Sequence, residues 1–212
     1  MHNAKNNFDS SRTAIVFIEF QKEWLSADGK LFEHLIKDKA AATSAVRHAE
    51  QILAAARRHG WSIVHAGLDF RNDRHYRLFG GGDGVLGLRA AIPHAGTWTG
   101  AGAEFVAPFV PQENEFVVAG RSGASVLKNS TLDPFLRNNR IDTLILAGFA
   151  THVCVESTLR EAHDMGMNTW VASDACAAFT TAQHDYFMEN ILHHFGAGIT
   201  TEALLAQMEK GA

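Results

Sequence analysis

The stretch Thr143 to Glu161, TLILAGFATHVCVESTLRE, constrains the fold more than any other part of the chain. Leu144-Ile145-Leu146 is an apolar, branched run with the composition of a buried strand. The small residues Ala147-Gly148-Phe149-Ala150 then predict a turn. After Thr151-His152-Val153-Cys154, apolar and small residues recur at helical spacing: Val155, Thr158, Leu159, Ala162. The reading is strand, tight turn, helix, with a cysteine in the first helical turn. A thiol there faces unpaired backbone N–H groups and the positive end of the helix dipole, which favour thiolate. On local sequence alone the position suits a nucleophile and a buried structural cysteine equally.

Strands alternate with helices along the rest of the chain. Thr13–Phe20 (TAIVFIEF), Trp61–Ala66, Glu115–Gly120, Ile141–Leu146, Asn168–Ala172 and Gly198-Ile199 read as strands. Residues 39–58 carry an Ala-rich apolar helical face ended by Gly60. Leu132–Leu136, 181–195 and Thr201–Glu209 read as further helices. This alternation predicts an α/β fold: a doubly wound, mainly parallel six-stranded sheet with helices on both faces. Residues 1–12 read as a loose polar tail and 13–212 as a single domain. Between Gly67 and Gly102 lies a long Gly-rich stretch, read as loops with a short helix over the active site.

GFATHVCVESTLREA resembles the signature of the isochorismatase-like cysteine hydrolases, which include nicotinamidases, N-carbamoylsarcosine amidases, ureidoacrylate hydrolases and isochorismatase itself. Gly148, Thr151, Cys154, Val155, Thr158, Arg160 and Ala162 match the pattern, and the likeness runs over roughly residues 13–205. It implies a catalytic cysteine, Cys154, whose acyl-enzyme water then hydrolyses. It implies an oxyanion hole from the backbone N–H groups of Thr151 and Cys154, aimed by a cis peptide at Ala150-Thr151. It also implies a homo-oligomer, a dimer or tetramer, associating through the late helices.

The same resemblance locates an acid and a cation. At the end of the first strand the family reads apolar-Asp-apolar-Gln, and this chain reads Ile18-Glu19-Phe20-Gln21. Without the resemblance Glu19 reads as a solvated strand end; with it, as the general base. Arg121 occupies the position of the family lysine, in a register fixed by Ser125, Ser130 and Leu132, while Lys128 reads as a surface residue. Both departures lengthen a side chain and keep its charge. Arginine is not a proton shuttle near neutral pH, but Arg121 could stabilise a thiolate or bind a carboxylate or carbonyl. Gln21, Trp24, Phe70, Trp98, Ser125 and His152 are the remaining candidates for lining the substrate site.

Other readings are narrower. Asp73-Arg74-His75 has the letters of a metal-binding pair seen in nicotinamidase-like relatives, yet it lies in a hydrophilic run beside His65 and Asp69. It reads as a solvated loop; no metal and no cofactor are expected. A net charge of −4 advertises no nucleic-acid surface, no apolar run approaches a membrane span, and no Gly-x-Gly-x-x-Gly follows the first strand. Met1–Asp9 lacks an apolar leader core. A cytoplasmic location with Cys154 and Cys176 as free thiols is the resulting expectation. The expected activity is cleavage of a C–N bond in a small amide, ureide or carbamoyl compound. The competing readings are isochorismatase-type vinyl-ether hydrolysis, which needs no thiol, and a catalytically silent, ligand-binding member of the fold.

Overall fold

The first strand explains the layering. In the computed structural model, which describes residues 8–80 and 86–210, β1 (Thr13–Ile18) is buried along its whole length. Alternate side chains point to opposite faces of a strand. Ile15 and Phe17 enter one core with helix α3 (Lys39–His59) and helix α9 (Thr201–Lys210). Ala14, Val16 and Ile18 enter a second core with helices α5 (Leu132–Asn138), α6 (Glu156–Asp164) and α7 (Thr181–Asn190). Apolar strands covered on both faces are the mark of a parallel sheet.

That sheet comprises β1, β2 (Ser62–Ala66), β3 (Phe116–Val117), β4 (Thr143–Phe149), β5 (Asn168–Ala177) and β6 (Ala197–Ile199). The order is β3-β2-β1-β4-β5-β6 and every pairing is parallel. Winding therefore reverses between β1 and β4. In open α/β sheets this reversal opens a crevice beyond the carboxyl ends of the strands. Here the two strands run very close. A Cβ on Gly148 (φ +128°) would stand 2.1 Å from the carbonyl oxygen of Ile18, so only glycine fits.

The helix ends follow local chemistry. Asp38 caps α3 by accepting the Ala41 N–H at 2.9 Å, and Gly60 closes it in the left-handed conformation. Thr180 and Gln183 form a reciprocal capping box at the start of α7. Over the crevice lie three shorter helices, α1 (Lys22–Leu25), α2 (Lys30–His34) and α4 (Leu88–Ala95).

Several sequence expectations need correction. Helix 181–195 breaks at Ile191 into α7 and α8 (Leu192–Phe195). Residues 8–12 are not loose: Phe8 packs edge-on against Trp61 and Trp170, and Arg12 pairs with Asp142. Of the supposed tail, residues 1–7 lie outside the described residues, as does 81–85 of the Gly-rich run. The cis peptide lies one bond earlier than expected, at Phe149-Ala150.

Candidate active site

Three strand ends deliver three side chains. Glu19 follows β1 directly, fully buried, with φ at +60°. A non-glycine residue held in that region costs roughly 1–3 kcal/mol, a cost commonly met at functional sites. Its backbone N–H donates to the Ala66 carbonyl at 2.8 Å, tying the turn to β2. The Trp24 indole, one turn into α1, donates to Glu19 Oε2 at 2.5 Å. Glu19 Oε1 stands 2.7 Å from Arg121 Nη1. That contact is close but poorly aligned, and neither atom has a well-directed hydrogen-bond partner.

Arg121, four residues past β3, is equally buried. Its Nε donates to Gly123 O at 3.0 Å and Nη2 to Ala124 O at 2.7 Å. Burial works against its charge, but the neighbouring Glu19 and Cys154 outweigh it and raise the guanidinium pKa. Arg121 is therefore a fixed cation.

Cys154 lies in a π-helical turn, Thr151–Val155, that leads from β4 into α6. Burial opposes the thiolate that the helix terminus favours. Burial, and after it the carboxylate of Glu19, push the thiol well above its ordinary range, while Arg121 pulls the other way and loses. The helix terminus acts at a site that water scarcely reaches, with Cys154 only 6% exposed, so desolvation dominates. Thr158 fixes the turn from below. Its Oγ1 donates to Cys154 O at 2.6 Å and accepts the Val126 N–H at 3.1 Å, joining the segment after Arg121 to the nucleophile turn. On the other side Thr151 Oγ1 meets His184 Nδ1 of α7 at 3.0 Å.

Glu19, Arg121 and Cys154 share one cavity of about 460 Å³, with Trp24 and Trp98 in its wall. The family model described as the isochorismatase domain matches residues 13–203. The chain belongs to the isochorismatase family. The uncharacterized isochorismatase family protein YwoC of Bacillus subtilis is 28% identical over 209 residues, which cover 96% of this chain and 97% of that one. The ureidoacrylate amidohydrolase RutB of Variovorax paradoxus is 30% identical over 177 residues, 78% of this chain and 69% of the relative. Among solved structures, a cysteine hydrolase from Pseudomonas syringae superposes with a TM-score of 0.83 at 22% identity, covering 97% of this chain and 96% of the other. It has the same fold.

Not every candidate of this isochorismatase-family chain reaches the cavity. Gln21 is a buried clamp: its amide donates to Leu68 O and Ala103 O and accepts the Leu68 N–H. Phe70 packs on Tyr76 and Phe79 beside a second void of about 630 Å³, on the far side of Arg121. Ser125 Oγ accepts the Leu127 N–H, and His152 packs edge-on against Phe179. Neither lines the cavity. Asp73 accepts the Leu78 N–H in an exposed turn, and among the described residues no group of three or more His, Cys, Asp or Glu could hold a metal ion. No described helix is long and apolar enough to cross a membrane.

Sequence reasoning missed most of the wall: Leu31 of α2, Leu88 and Ile92 of α4, Leu68, Phe79 and Phe179. The apolar spacing of Leu31, Leu35 and Ile36, and of Leu88 and Ile92, was the available signal.

Proposed function

We propose that this isochorismatase-family hydrolase is a cysteine amidohydrolase that cleaves the C–N bond of a small amide, ureide or carbamoyl compound through a thioester on Cys154. The observation that carries this reading is the convergence of an acid, a fixed cation and a thiol on one cavity at the sheet's reversal point. The amidohydrolase name of the Variovorax relative supports C–N cleavage.

The steps follow from the chemistry of the three groups. Glu19 takes the Cys154 proton as Sγ bonds to the substrate carbonyl carbon. A neutral resting thiol makes this transfer part of the attack. The oxyanion is held by the backbone N–H groups of Thr151 and Cys154, donors that act on charge developing in the transition state. The C–N bond breaks, and the leaving nitrogen takes the proton from Glu19. A water then gives a proton to Glu19 and attacks the thioester carbon. The C–S bond breaks, the carboxylic acid leaves, and the proton returns to sulfur. Arg121 keeps its charge throughout and holds Glu19 in place; it is not a proton shuttle. Vinyl-ether hydrolysis leaves the thiol without a role. The reading includes a homo-oligomer in the cytoplasm, which sedimentation and cell fractionation would test.

The deciding experiment is an ammonia-release screen over small amides and ureides, with mass spectrometry of acid-quenched enzyme. Turnover that disappears in Cys154→Ala, with an acyl mass on Cys154 in the wild type, is expected. Turnover surviving in Cys154→Ala would overturn the reading.

A further inference from the structure

The cavity beside Cys154 differs in kind from a site built for an anion. Its wall is hydrocarbon: Leu31, Phe79, Leu88, Ile92, Trp98 and Phe179 surround the space above the thiol. An ionised carboxylate placed among such groups needs a partner cation or several donors, and is otherwise strongly disfavoured.

The two permanent cations that border the cavity, Arg121 and Lys30, already have partners. Arg121 directs Nε at Gly123 O and Nη2 at Ala124 O, and its Nη1 faces Glu19. Lys30 Nζ donates to Ala95 O at 2.6 Å and Gly96 O at 3.2 Å, closing the carbonyl end of α4. His34, with its side chain 68% exposed, stands in solvent 3.7 Å from Glu33. Among the described residues no lysine or arginine lines this cavity without a counter-ion or carbonyl partner. The charge of Arg121 is already met by Glu19, 2.7 Å from its Nη1, so a second carboxylate there would have to share that cation.

We propose that the acyl side of the substrate is an uncharged alkyl or aryl group, and that the protein discriminates against amides carrying a second carboxylate. This rests on the cysteine amidohydrolase reading and narrows it. The apolar wall selects by burial, so affinity grows with hydrocarbon until the cavity is full. The same wall rejects an anion by desolvation. Trp24 and Trp98 provide a built-in optical probe of occupancy.

The test uses a homologous series of primary amides, propanamide to octanamide with phenylacetamide, set against succinamate, the carboxylate counterpart of pentanamide. Ammonia release should give kcat/KM values that rise roughly fourfold per added methylene in the early members. Succinamate should fall on the order of a hundredfold below pentanamide. Succinamate equal to or better than pentanamide overturns the proposal and leaves the cysteine chemistry standing. Tryptophan fluorescence of Cys154→Ala, which binds without turning over, separates the two claims. Apolar amides that bind there while the wild type fails to hydrolyse them sink the amidohydrolase reading and not the specificity. No binding of any apolar amide sinks the specificity. Leu31→Arg, at a half-buried position on α2, should raise succinamate turnover at least tenfold with an unchanged far-UV CD spectrum. A preference untouched by that folded variant would also overturn the assignment of the wall.

Discussion

Among the described residues two buried glutamates face an arginine, and the proposed mechanism gives them opposite roles. Glu115 is held by Arg57 through both Nε and Nη2, at 2.6 and 2.9 Å; by the Gln112 N–H at 2.9 Å; and by His65 Nε2 at 2.8 Å. Burial would raise its pKa, but these donors outweigh it and bring the carboxyl down from 4.5 to about 2. Glu19, just as buried, has one well-directed donor, Trp24, and a misaligned Arg121. It faces a cavity and a thiol, whereas His65 stacks on Phe17 inside a core. A strongly displaced carboxyl marks structure in the first pair. Incomplete satisfaction beside a void and a thiol supports the proposed chemistry in the second. Perturbed titration by itself does not find an active site.

The largest expected effect belongs to the second pair's partner. Cys154→Ala should cut kcat by on the order of a thousandfold or more while thermal unfolding barely moves. The next falls on the first pair and reverses that pattern. Glu115→Gln leaves Arg57 without its counter-ion and should cost about 3–5 kcal/mol. Calorimetry should read this as a Tm lower by roughly 10 °C, with kcat of the folded fraction near wild type. A large loss of kcat there would erase the distinction between the pairs.

Glu19→Asp or Arg121→Lys should each lower activity about a hundredfold, because each shortens one arm of a matched pair by about 1 Å. The double change should recover more than the product of the singles. Independent, multiplicative effects in a kinetic double-mutant cycle would show that the two residues do not work as a unit.

The smallest effect is acid sensitivity. Glu115 has a folded pKa of about 2, below its ordinary 4.5. Its contribution is therefore complete above 4.5 and fades as the pH falls towards 2. This linkage predicts a loss of roughly 1 kcal/mol at pH 4 and about 2 kcal/mol by pH 3, read by denaturant titration. His65 acts in the same direction. Burial, only partly offset by Glu115, lowers its pKa below 6.5, so protonation favours the unfolded chain below that pH. Glu115→Gln should flatten the acid limb.

The legible part of the site was local. Cys154 is announced by a strand, a small-residue turn and a helical pattern in one contiguous stretch. Glu19 and Arg121 are found at strand ends once the resemblance sets the register. What stayed hidden was non-local. Gln21, Phe70 and Trp24 sit within reach of the same strand ends, yet only Trp24 turns into the cavity, and the difference is decided by which loop each packs against. Glu115 gave no sign of its partners because Arg57 comes from α3, His65 from β2 and Glu115 from the loop before β3. The surroundings of the thiol were hidden for a related reason: a helix terminus is visible in a sequence, while the depth of burial that opposes it is not. The six-stranded sheet was expected from the alternation of apolar runs with helical patterns, and the structure adds that every strand pair is parallel.

The helices over the crevice have a consequence for how such a protein can change over generations. The proposed reacting groups follow the ends of β1, β3 and β4, whereas much of the cavity wall comes from α2 and from α4 and its flanks. What is done to a substrate and which substrate is admitted are thus written in separate stretches of chain. A lineage could exchange residues 86–98 for those of a cousin and acquire a new diet without disturbing the contact between Gly148 and Ile18 that sets the spacing of the reacting strands. Mutations that redirect this protein should accumulate in α2 and α4, and those that silence it at the strand ends.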